Sequence, residues 1–177
     1  ADVVLTDDNF VTIGQAVFEG RKFFDNLRKG LTYYLSVKAA LISIFLLPLA
    51  LGVPLPFAPI QIVVLELFMD LAASAGFVTE PAERTIYSRK PRNPKARFPD
   101  SRMILEIAVS AVSLFAAVMI SYFYARWQNL SVVETQTFAF SAWIMGHVIL
   151  AFVSRSEKEP LYIVGPLSNR VMDVWAV

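Results

Sequence analysis

The chain has 177 residues, 56% of them hydrophobic, with a mean hydropathy of +0.54 and a formal net charge of +1. Soluble domains are about 45–50% apolar, so this excess, gathered into long runs, marks a membrane protein. The absence of cysteine excludes a disulfide framework and a thiolate metal site, and the small net charge gives no reason to expect a nucleic-acid partner.

Val3-Val4-Leu5 reads as one short buried strand, followed by a turn and helix entry at Thr6-Asp7-Asp8-Asn9. Ala1 falls mid-pattern, so a fragment of a longer protein is expected. From Val11 to Arg28 apolar Val11, Ile13, Val17, Phe18, Phe24 and Leu27 alternate with polar residues, which predicts an amphipathic stalk helix. Nothing stronger than Gly30 separates it from the first apolar run. The expected spans are 31–51, 60–77, 103–124 and 135–153, each long enough to cross a hydrocarbon core of about 30 Å. Pro48 predicts a kink or a lost backbone hydrogen bond, and Pro59 a helix start. The intervening loop, 78–102, is rich in proline, lysine and arginine.

Lys/Arg counts orient the chain. Four precede the first span, seven lie in the middle loop and three follow the last span, whereas the two turns on the other side hold only Arg126. The positive-inside rule then places both ends and the 78–102 loop in the cytoplasm. The basic loop reads as an orientation signal that touches lipid phosphate, with docking onto another protein surface as the alternative.

Lys38, Glu66, Asp70 and His147 are ionisable residues set well inside the apolar runs. A charge at this depth costs about 2.5–3.5 kcal/mol on insertion scales, and such groups mark ion or proton routes. On an α-helix Glu66 and Asp70 share a face one turn apart. Their repulsion is relieved by a bound cation or a shared proton, so both are candidate metal ligands if a metal ion is carried. A structural ion pair with Lys38 is the plainer alternative. Lys38 is either an internal counter-ion facing these carboxylates or a side chain snorkelling to the headgroups. His147 is either a neutral core histidine or a proton-relay member. Glu106 is expected at the interface. No G-x-x-x-x-G-K-[ST] loop is present to cradle a nucleotide.

Several runs resemble type II P-type cation ATPases. ADVVLTDDNF with EGRKFFDNLRKGLTYYLS resembles the end of their phosphorylation domain and the stalk. PLPFAPIQIVVLELFMD resembles the turn into the sixth helix and that helix, and AERTIYSRKPRNPKARF the basic loop after it. Phe152 to Leu161 with Ser168-Asn169-Arg170 resembles the loop between helices eight and nine. The resemblance covers essentially the whole chain. It implies an all-α membrane protein of four transmembrane helices, helices five to eight of the pump, with a cytoplasmic stalk helix and a short preceding strand. Residues 1–30 would close the phosphorylation domain and form the stalk, and 31–177 would be the C-terminal transmembrane domain, with 154–177 a cytoplasmic loop and the start of helix nine. The resemblance also implies that ATP and Mg²⁺ act on an N-terminal part lying before Ala1: the actuator, nucleotide-binding and phosphorylation domains and helices one to four. The chain carries no cofactor itself and is not expected to hydrolyse ATP.

By the same resemblance Asp70 matches the helix-six carboxylate, while Glu66 stands where calcium pumps have Asn and sodium/potassium pumps Asp. Lys38 replaces a usual Asn, Leu41 a usual Glu, Met69 a frequent Thr, and His147 a Glu or Gln. Leu71-Ala72-Ala73 stands for Gly-Leu-Pro. A helix-five lysine opposite a helix-six glutamate resembles gastric-type proton/potassium pumps. The expected function is the membrane ion pathway of an ATP-driven pump, for protons or a monovalent ion rather than calcium, in the plasma membrane of a prokaryote. The alternative is a stand-alone, non-catalytic four-helix protein serving as partner or passive ion path.

Overall fold

The computed structural model describes residues 9–91, 98–156, 159–165 and 167–177, without the side chains of residues 68–72 and 161. The expected strand at Val3-Leu5 lies outside these residues, as do Arg92, Lys95 and Arg97 of the basic loop. All regular structure among the described residues is helical.

Helix α1, Phe10–Leu51, joins stalk and first span in 42 residues. Asn9 caps it, its Oδ1 accepting from the Val11 N–H at 3.0 Å. The helix passes through Gly30, where a Cβ would stand 3.4 Å from the Phe77 Cβ. It ends just beyond Pro48, at Gly52, whose φ of 64° puts it in the left-handed region that favours glycine. Helix α2, Pro59–Val64, opens on the predicted proline, with the Gln61 side chain accepting from the Ala58 N–H at 2.8 Å.

A π-helical turn, Leu65–Asp70, follows without a gap and leads into α3, Leu71–Val78. The expected span 60–77 is therefore three consecutive helical pieces rather than one α-helix. Among the described residues three helices are individually long and apolar enough to cross a membrane: α1, α4, Ser101–Trp127, and α5, Val132–Val153. Asp100 caps α4 by accepting from the Met103 N–H at 2.8 Å. Ser131 and Glu134 form a capping box on α5. Two short helices close the chain, α6, Leu161–Val164, and α7, Arg170–Ala176.

Helix α4 packs between α1 and α5, while α3 lies against α1 and α7. The core is built from helical stripes. Tyr33, Val37, Ala40 and Ile44 come from α1, Leu114, Val118 and Tyr122 from α4, and Ala139, Trp143 and Ala151 from α5. The corner after α1 is anchored to this core. Phe57 packs edge-on against Trp143 at 5.8 Å, and the Tyr122 hydroxyl donates to the Pro54 carbonyl. The outer faces are as apolar as the core: Ile42, Leu46, Val112, Ile120 and Ile149 are all exposed. Water would penalise such a surface, and hydrocarbon would not.

Candidate functional site

The π-helical turn brings Glu66 to Lys38. The Lys38 Nζ lies 2.6 Å from both carboxylate oxygens, at charge-assisted hydrogen-bond distance. Tyr34, one turn earlier on α1, places its ring centroid 5.2 Å from the same ammonium. The pair is only partly covered, with the Lys38 side chain 22% and the Glu66 side chain 46% exposed. Lys38 is thus a counter-ion that faces a carboxylate, not one that snorkels away from it.

π-Helical bonds run i→i+5, and single π turns occur often at functional sites. The backbone between Glu66 and Asp70 therefore departs from the α-helical spacing that aligns residues four apart. The Asp70 and Met69 side chains lie outside the description. Leu41 packs on the core in a partly buried position. Among the described residues no three His, Asp or Glu side chains converge as a metal site.

His147 is fully buried on the inner stripe of α5. Three aromatic rings surround it, with centroids at 5.3 Å for Tyr33, 5.6 Å for Trp143 and 6.1 Å for Trp175. Spacing along α5 places His147 on one face with Ala139, Trp143 and Ala151, while Tyr33 comes from α1 and Trp175 from α7.

A second charged cluster was not foreseen. Glu80, just past α3, is fully buried and accepts from the Arg155 Nε at 3.0 and 3.1 Å and from the Asn169 Nδ2 at 2.6 Å. The Asn26 side chain of α1 donates to the Glu80 carbonyl at 2.8 Å. Beside it the buried Lys29 Nζ meets a Glu83 oxygen at 2.9 Å. Arg89 bonds Glu83 and reaches Asp25 at 2.5 Å. Tyr87 stacks on Phe18 at 5.0 Å, and Arg21 donates to the Ile86 carbonyl at 2.9 Å.

The described part of the 78–102 loop is therefore docked along the stalk of α1, and Arg89 serves that docking. The signal available in the sequence was two acidic residues, Glu80 and Glu83, inside an otherwise basic loop. Glu106 meets Arg102 at 2.8 Å on the first turns of α4.

Comparison with known proteins places these features. Residues 54–177 match the family model for the C-terminus of cation transporting ATPases. The chain is 30% identical over 184 residues to the calcium-transporting ATPase of Bacillus subtilis, covering 97% of the chain and 20% of that protein. It is 26% identical over 171 residues to human calcium-transporting ATPase type 2C member 1, with 97% and 19% covered. It is 35% identical over 131 residues to the sodium/potassium-transporting ATPase subunit alpha-1 of Oreochromis mossambicus, with 73% and 13% covered. The chain thus spans about a fifth of the length of the first of these relatives.

Proposed function

The chain belongs to the P-type cation-transporting ATPase family, and from that premise we propose that it carries part of the ion pathway of an ATP-driven pump, for protons or a monovalent cation. The observation that supports this reading is the Lys38–Glu66 pair. Both Glu66 oxygens are taken by an internal ammonium at 2.6 Å. A divalent cation would have to displace that ammonium while losing its own hydration. A proton or a monovalent ion makes a smaller demand. The named relatives transport calcium or sodium/potassium, so the choice of ion rests on the residues of this chain.

Helix α1 gives the pair a handle. The stalk and the segment bearing Lys38 are one uninterrupted helix, so a tilt applied at residues 10–29 moves Lys38 relative to the π-helical turn. Opening the pair frees Glu66, and closing it expels whatever Glu66 has bound. ATP and Mg²⁺ are assigned to the N-terminal parts of the pump, which phosphorylate an aspartate and drive the tilt. Both chain ends and the 78–102 loop are assigned to the cytoplasmic side, on the distribution of Lys and Arg, with the four expected spans crossing the plasma membrane of a prokaryote. Asp70 and His147 are assigned to the same pathway.

ATP-driven uptake by the pump containing this segment, reconstituted in proteoliposomes, tests the reading. A pH-sensitive dye, labelled calcium and rubidium and sodium tracers are followed in parallel, in the parent and in Glu66→Gln and Asp70→Asn variants. Calcium accumulation with no proton or monovalent flux refutes the ion assignment. Unchanged transport in both variants refutes the site.

A further inference from the structure

Two cavities meet at the end of the bundle where the 78–102 loop docks. The first, of about 170 Å³, is lined by Lys29 and Thr32 of α1, Glu106 and Ser110 of α4, Val153 at the end of α5, and Ser154 and Ser156 beyond it. The second, of about 390 Å³, is an apolar groove between α4 and α5, bordered by Leu114, Ala117, Gly146, Ile149 and Leu150. Ser110 and Val153 line both, so the two spaces adjoin at these residues. From Ser110 to Ala117 the groove follows α4 for about 10 Å. Gly146 keeps this wall tight, since a Cβ there would come within 2.7 Å of the Leu114 Cδ1.

This shape, a charged chamber opening into an apolar slot, suits an amphiphile. The chamber also carries both signs of charge. Lys29 is 2% exposed and uses its ammonium on Glu83 at 2.9 Å, while an ammonium has three donors to give. The buried Thr32 hydroxyl has no hydrogen-bond partner among the described residues, and a buried polar atom in that state seeks one. Ammonium and hydroxyl together fit a phosphate. Glu106, 31% exposed at the rim and held by Arg102, fits a primary amine.

From these features we infer that the joined cavities bind one glycerophospholipid with an amine-bearing, zwitterionic headgroup. Its phosphate faces Lys29 and Thr32, its ammonium faces Glu106, and one acyl chain lies in the α4/α5 groove. An anionic headgroup lacking the amine offers Glu106 nothing beyond its Arg102 partner. A soluble phosphate gains nothing from the groove. The site is separate from the Lys38–Glu66 pair, none of whose residues line either cavity.

Native mass spectrometry of the chain, extracted from nanodiscs of equimolar phosphatidylethanolamine and phosphatidylglycerol, reads the bound lipid directly. The expected result is one retained phosphatidylethanolamine, preferred about tenfold, the scale of one charge-assisted hydrogen bond. Glu106→Gln should abolish the preference while keeping a lipid bound. Ala117→Phe, which fills the groove, should lower retention about tenfold, the scale of an excluded apolar segment. Ser43→Phe should leave retention unchanged, because it fills a separate groove between α1 and α4 that shares no lining residue with the site. Far-UV circular dichroism confirms that each variant is folded. Should Ala117→Phe not fold, the preference of the parent and its loss in Glu106→Gln still decide. Equal retention of both lipids by the parent, or a preference that survives Glu106→Gln, overturns the inference. So does wild-type retention in a folded Ala117→Phe.

Discussion

Replacing Arg155 by methionine puts the buried cluster to the test. Arg155 and Glu80 are both fully inaccessible, and the guanidinium Nε holds the two carboxylate oxygens at 3.0 and 3.1 Å. Methionine fills most of the same volume but leaves the Glu80 carboxylate with the Asn169 amide as its remaining described side-chain donor. Removing one partner of a buried pair costs about 3–5 kcal/mol, mostly as the penalty of an uncompensated charge. That is about two to three and a half orders of magnitude in the unfolding equilibrium. Adding Glu80→Gln removes the stranded charge, and the double variant then lacks only hydrogen bonds, each worth about 0.5–1.5 kcal/mol net. The double variant should therefore be about 2 kcal/mol more stable than Arg155→Met alone. Unfolding in mixed micelles of dodecyl sulfate and a mild detergent, followed by tryptophan fluorescence, supplies the free energies. A cost below about 1 kcal/mol for Arg155→Met, or two single costs that simply add, would refute a pairing that matters to stability.

Three further outcomes follow from the geometry. Lys38→Ser frees both Glu66 oxygens, so calcium affinity measured by titration calorimetry should rise about tenfold, the scale of one lost charge-assisted interaction; unchanged affinity would show that Lys38 does not guard Glu66. Asp100→Ala removes both the α4 cap and the bidentate contact from Arg28 at 2.8 and 3.1 Å, and should cost about 1–2 kcal/mol in the same micelle titration, chiefly through the cap. Gly52→Ala forces a side chain into a φ of 64° and should cost about 1 kcal/mol. Gly146→Ala should cost less, because only the tip of Leu114 must move; the reverse order would contradict the packing described.

Much of the helical plan was legible because its signals are local. Asn9 marks a helix start by accepting from its own first turn and Pro59 by its fixed φ, and long apolar runs mark membrane helices whatever they pack against. The candidate site was legible in part. A lysine and a glutamate at membrane depth are conspicuous singly, and an antiparallel hairpin makes their contact an open alternative. Lys29, Glu80, Glu83 and Arg155 were not singled out, because charges at the ends of spans usually face water or headgroups. Their burial depends on the docked loop, α3 and the segment before α7 closing over them, which no single run reveals.

The sequence by itself determined the membrane character of this protein, its helical class and its family, because composition and motif order survive without a partner. Tertiary structure alone decided which charges neutralise one another. Glu80 meets Arg155 across 75 residues, and Lys38 meets Glu66 across 28. Such pairings are set by how helices pack, not by spacing along one of them. The π-helical turn at Leu65–Asp70 belongs with these. A change of hydrogen-bond register leaves the apolar pattern intact, yet it resets which side chains share a helix face.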